Sequence, residues 1–158
     1  MSPSRWAPIE EMIREFQGLL VPPLPLKIEN GLDCAESCPT FRAASPSLKK
    51  QGVYMVFDDS ESKIYVGVTI DRPLVDRCRD HIKNKRFKLL GFTPRWIDVI
   101  PFDPEWEFLA PSLELYLIYK IFHQEHGCTL TLVNKRGTMR AHFEIVALAV
   151  ADLLPAQE

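Results

Sequence analysis

The sequence predicts an α+β domain, a small antiparallel sheet of about three strands with helices packed around it. Three observations lead there. Residues 52–57 (Gly-Val-Tyr-Met-Val-Phe) and 63–69 (Lys-Ile-Tyr-Val-Gly-Val-Thr) are rich in β-branched and aromatic side chains, and a polar run, Asp-Asp-Ser-Glu-Ser at 58–62, separates them as a hairpin loop would. Apolar residues at helical spacing flank this pair on both sides along the chain. The resulting order over residues 51–158, strand-strand-helix-strand-helix-helix, suits helices gathered about an antiparallel sheet rather than alternating β-α units.

Taken in order, the first element is a helix opened near Pro8, where Ile9, Met12, Ile13, Phe16, Leu19 and Leu20 recur on one stripe before Gly18 and Pro22-Pro23 end it. Residues 21–50 carry prolines at 22, 23, 25, 39 and 46 and little periodicity, which predicts an extended arm or ordered loop. Residues 1–50 are therefore expected to form a helix and arm that extend a main domain at 51–158. After the hairpin, Asp71 can cap a helix that admits Pro73 in its first turn and runs to about Asn84. Residues 95–101 form a third strand, and residues 111–125 a strong helix ended by His126-Gly127. Residues 129–133 have strand propensity but also suit a loop, and a last helix is expected over about 142–154.

The chain has 158 residues and a net charge of −2, with 46% hydrophobic residues, ordinary values for a globular domain. No run of 18 apolar residues and no signal-peptide core occur, and the four cysteines form no dense framework. The expectation is a cytoplasmic protein with free thiols and no membrane contact. Charge is unevenly placed: residues 1–40 carry −3, residues 41–100 carry +5, and residues 101–158 carry −4. A polyanion would dock on the middle third, because phosphates answer to local patches rather than to total charge.

Candidate chemistry follows the same order. A loop centred near Asp59-Ser60 would set Tyr54 across from Tyr65, with Gly52 and Gly67 leaving room for a ligand backbone. In the next helix, Arg77 and His81 stand one turn apart beside the apolar arc of Leu74, Val75, Cys78 and Ile82, so both can point into a cleft against the sheet. Arginine offers a permanently charged planar fork for phosphate, and histidine exchanges a proton near neutral pH. Glu114 is the one acid in the first two turns of a helix that is apolar on nearly every side. A carboxylate there is costly unless paired or metal-bound, and a hard oxygen ligand suits Mg²⁺. Cys34 and Cys38, the three tryptophans, and His123, His126 and His142 show no partner pattern that marks a site.

Gly52-Val53-Tyr54, Tyr65-Val66-Gly67 eleven residues on, Arg77 with His81, then Glu114 and Asn134 resemble the signature of the GIY-YIG nucleases, in that order and with valine for isoleucine in both triads. The resemblance covers about residues 51–137. It implies a small antiparallel sheet flanked by helices, endonucleolytic hydrolysis of DNA, and one divalent cation, Mg²⁺ or Mn²⁺. Carried over by position, Glu114 would hold the metal, Arg77 would neutralise charge on the phosphoryl oxygens, and Tyr54, its pKa lowered by nearby cations, would take the proton from water. Tyr65 and His81 would orient the water or share the proton, and Asn134 would fix the site by hydrogen bonds. Gly67, Lys83, Lys85, Arg86, Lys88, Lys135 and Arg136 are the expected DNA contacts. No DNA-targeting module is visible, which leaves the arm, self-association through Ile9, Ile13 and Phe16, or a partner protein. The alternative is a fold of the same kind that has lost catalysis and binds nucleic acid or protein.

Overall fold

The computed structural model describes residues 6–33, 46–60, 62–83 and 91–134. In chain order these form α1 (Trp6–Gly18), β1 (Glu29–Asp33), β2 (Gln51–Asp58), β3 (Lys63–Val68), α2 (Leu74–Lys83), β4 (Pro94–Phe102), α3 (Ala110–Phe122) and β5 (Thr131–Leu132), with short 3-10 helices at Pro46–Lys49, Pro104–Leu109 and Glu125–Gly127. The α+β class holds, but the sheet is five-stranded and mixed rather than three-stranded and antiparallel. Its order is β1-β4-β2-β3-β5, antiparallel throughout except for the parallel β3–β5 pair. Periodicity could not announce β1, and β5 falls within residues 129–133, where the sequence leaves strand and loop both open. β1 (Glu-Asn-Gly-Leu-Asp) has one apolar residue and a register break between Glu29 and Leu32, and β5 has two residues. The predicted helix at 142–154 lies outside the described residues. Among those residues, no helix is long and apolar enough to cross a membrane.

The central β2 alternates between two cores, because strand side chains point to opposite faces in turn. Val53, Met55 and Phe57 join Ile9, Met12, Ile13 and Phe16 of α1 and Leu113, Leu117, Ile118 and Ile121 of α3. Tyr54 and Val56 join Leu74 and Cys78 of α2, with Ile97, Val99, Phe92 and Leu48. α2 and α3 therefore flank opposite faces of the sheet. This also revises the place of the N-terminal segment: the Ile9, Ile13 and Phe16 stripe offered above for self-association is buried inside the chain, no more than 6% exposed. The arm after it contributes β1, so the segment before residue 50 shares the core and the sheet of the rest.

Asp58 sets the hairpin. Its Oδ1 accepts hydrogen bonds from the Ser62 and Lys63 backbone amides at 3.0 and 2.9 Å, and Oδ2 accepts one from Ser60 Oγ at 2.5 Å. Capping the loop in this way moves the register two residues from the expected one: Tyr54 lies opposite Gly67, and Tyr65 opposite Val56. A shift of two keeps each side chain on its predicted face.

Candidate functional site

Tyr54, Tyr65 and Arg77 come together on the α2 face. The two phenol rings sit diagonally across the β2–β3 pair with centroids 6.2 Å apart, tilted by 32°. Diagonal neighbours are within reach of aromatic side chains. Arg77, one turn into α2, donates a hydrogen bond to the Tyr54 hydroxyl. Its Nε is buried and has no hydrogen-bond partner among the described residues. Leaving such a donor unsatisfied costs on the order of 1–3 kcal/mol.

The glycines of the two triads serve packing inside the chain. A Cβ at Gly52 would meet the Ile100 carbonyl of β4, and a Cβ at Gly67 would overlap the Tyr54 phenol. Gly67 is buried beneath that ring. Thr69 fastens the same end of the hairpin. Its amide donates to the Gly52 carbonyl at 2.9 Å, and its buried hydroxyl accepts from the Gly52 amide at 2.9 Å.

The surroundings of Tyr54 work against the lowered pKa that the resemblance implies for a base. Tyr54 is 1% exposed, and burial, with the neighbouring Tyr65 adding to it, drives the phenol pKa far above its ordinary value of 10.0. Arg77 offsets only part of that rise. The expectation of a lowered pKa fails because desolvation of a phenolate outweighs one cation. Tyr65 is only half-buried, on the same face, one strand nearer the sheet edge.

Asn134 holds the strand that carries Tyr65. After the β5 backbone pairs with β3, the Asn134 side chain continues the ladder: Nδ2 donates to the Val66 carbonyl at 2.8 Å, and Oδ1 accepts from the Val66 amide at 3.0 Å. A side-chain amide thus stands in for a backbone peptide and satisfies the outward groups of β3 next to Tyr65.

Glu114 lies in the second turn of α3, on the helix that covers the opposite sheet face from Arg77. It is partly buried, burial lifts its carboxyl from 4.5 to about 7, and it has no ion-pair or hydrogen-bond partner among the described residues. A single desolvated carboxylate without a cation of its own is a donor set that suits a divalent ion keeping several waters. The side chains of His81 and Lys83 lie outside the described residues, as do Lys85, Arg86, Lys88, Lys135 and Arg136 altogether.

A second cluster was not legible beforehand. Glu15 of α1 accepts from His126 Nε2 at 2.8 Å and from Tyr116 Oη at 2.9 Å, and Lys120 Nζ lies 2.6 Å from Glu125 and 3.4 Å from Glu15. Ligand atoms of Glu15, Glu125 and His126 lie within 4.8 Å of one another, close enough for a metal ion. Lys120, its pKa raised chiefly by the hydrogen bond to Glu125, already serves these carboxylates as their cation. The cluster ties α1 to α3, and His126 reaches it from a left-handed backbone (φ 56°) that no helix-stop rule foretells.

Comparison with models of protein families, with curated proteins and with solved structures finds no match to this chain.

Proposed function

We propose that this chain is a metal-dependent endonuclease of the GIY-YIG kind, hydrolysing phosphodiester bonds in DNA. The observation that carries the proposal is the meeting of Arg77 with Tyr54 and Tyr65 on one sheet face, with the Arg77 Nε buried and lacking an acceptor among the described residues. A phosphoryl oxygen is the acceptor that a permanently charged guanidinium with a buried Nε fits best.

In this reading Arg77 neutralises charge growing on the phosphoryl oxygens. Tyr65, the more exposed phenol, orients the attacking water and takes part in moving its proton, in place of Tyr54. Tyr54 holds the Arg77 guanidinium by its hydroxyl, and Asn134 holds the β3 backbone on which Tyr65 rides. Glu114 would hold Mg²⁺ or Mn²⁺, which when bound supplies Lewis-acid polarisation of the scissile phosphate. His81 remains a proposed partner in proton transfer.

The test is incubation with supercoiled plasmid in Mg²⁺ or Mn²⁺, with EDTA as control. Wild-type protein should nick the plasmid only with the ion present. Glu114→Gln should abolish nicking while the folded protein still binds a labelled duplex. A folded wild-type chain that binds DNA but never cuts it in either ion would replace this reading with that of a binding module.

A further inference from the structure

Strand alternation places Lys63, Tyr65 and Gly67 of β3 in one row on the α2 face. Arg77 and the Tyr54 hydroxyl meet above Gly67 at one end of that row, and Lys63 stands at the other. Four residues of strand separate the ends, roughly 13 Å, with Tyr65 midway. Lys63 Nζ donates to the Gly91 carbonyl at 3.2 Å, its one partner among the described residues. An ammonium has three donors, so two are unmet among the described residues. The acid beside it on β2, Asp58, does not consume them, because both its oxygens are turned into the hairpin loop. The Gly91 carbonyl holds the lysine stem against the α2 side of the sheet and gives the ammonium a defined place along the row.

We propose that Lys63 binds a backbone phosphate of the nucleic-acid strand being cut, roughly two to four nucleotides from the phosphate that Arg77 meets, so that the strand runs along β3 past Tyr65. The inference rests on the nuclease reading and adds a register to it. Lys63 acts on binding, not on the chemical step.

Binding of a labelled duplex is measured in Ca²⁺ against salt concentration, and cutting in Mg²⁺ at saturating protein. Lys63→Gln should lower the slope of log affinity against log salt by about one phosphate contact, roughly 0.7–0.9. It should leave the single-turnover rate within about threefold of wild type, and Lys63→Arg should restore the slope. A duplex with one neutral methylphosphonate, moved one to four nucleotides from the cut, should weaken wild-type binding at one position and not weaken Lys63→Gln further there. Lys50→Gln, which removes a lysine paired with Asp103 at 2.7 Å, serves as the control and should leave the slope unchanged. If wild-type protein cuts but Lys63→Gln keeps the full slope, or loses the same affinity at every neutral phosphate, Lys63 is not a contact and the nuclease reading stands. If wild-type protein neither binds nor cuts, both fall.

Discussion

At the scale of single residues, Glu114 sets use against stability. Burial raises its carboxyl to about 7 from 4.5, so the folded chain holds the proton more tightly than the unfolded chain does. The stability this supplies is complete below pH 4.5 and is lost as pH rises to about 7; above that the native state carries the full cost of a desolvated carboxylate. Glu114→Gln should therefore raise the melting temperature at pH 8, by up to about 3 kcal/mol in free energy, and change little at pH 4. A variant that loses cleavage and gains stability is what a site residue gives and a packing residue does not. Metal binding needs the ionised form, so cleavage at limiting Mg²⁺ should rise through about pH 7, with a midpoint that moves down as Mg²⁺ is raised. A midpoint indifferent to Mg²⁺ would remove Glu114 from the metal.

The two tyrosines make a second pair of predictions at this scale. Tyr65→Phe should slow single-turnover cleavage by roughly 10²- to 10⁴-fold with little change in DNA affinity, the range for a lost proton-transfer group. Tyr54→Phe, which removes a buried hydroxyl from the Arg77 guanidinium, should cost about tenfold and should also lower thermal stability, by roughly 1 kcal/mol. The reverse order of rates would return the proton to Tyr54 despite its burial. The sequence placed both phenols on one face correctly, since alternation alone decides that. It could not tell them apart, because which one is entombed depends on Gly67 lying bare beneath the ring of Tyr54.

At the scale of elements, α1 is the clearest case of a segment whose pattern was legible and whose use was not. Its stripe of Ile9, Met12, Ile13 and Phe16 reads as amphipathic from spacing, yet nothing local says whether the covering surface is the same chain or another. α3 covers it, and the Glu15 cluster fixes the fit. Removal of residues 1–20 should therefore unfold the protein rather than release a folded monomer, because four buried apolar side chains are worth about as much as a typical domain's net stability. Phe16→Ala alone should cost roughly 3–5 kcal/mol. Glu15 carries a pKa lowered first by the His126 hydrogen bond, then by that of Tyr116 and, more weakly, by the charge of Lys120. Its contribution is present above pH 4.5 and lost as pH falls through the lowered value. Thermal melts of Glu15→Gln and wild type should differ at pH 7 and converge in strong acid; equal melting at pH 7 would show that α1 docks through its apolar face alone. The short strand β1 escaped the sequence, and β5 was legible only as a choice between strand and loop at 129–133, for a related reason. Their pairing is set by neighbours already in the sheet, and neither has the length for its own alternation to speak.

At the scale of the whole molecule, Arg77 and Glu114 are delivered by helices on opposite faces of one sheet, so a shared site requires them to act across its edge rather than from a common pocket wall. β3 is the strand where this can happen. Among the described residues its outer side is covered by the short segment from Thr131 to Asn134, and it carries Tyr65. If both residues serve one transition state, their losses cannot add. Arg77→Lys keeps the charge and discards the fork, and should lower the cleavage rate by two orders of magnitude or more while affinity for uncut DNA in Ca²⁺ stays within a few-fold. Glu114→Gln should be worse still. The double variant should then be no slower than Glu114→Gln alone, because the residues of one catalytic unit fail together. Two groups that act independently would instead multiply their losses. Rates are measured under single-turnover conditions on one duplex, with Mn²⁺ to keep the slowest variant measurable. Multiplying losses would mean that the guanidinium and the carboxylate do not work on the same phosphate, and the nuclease site would have to be sought on one face of the sheet alone.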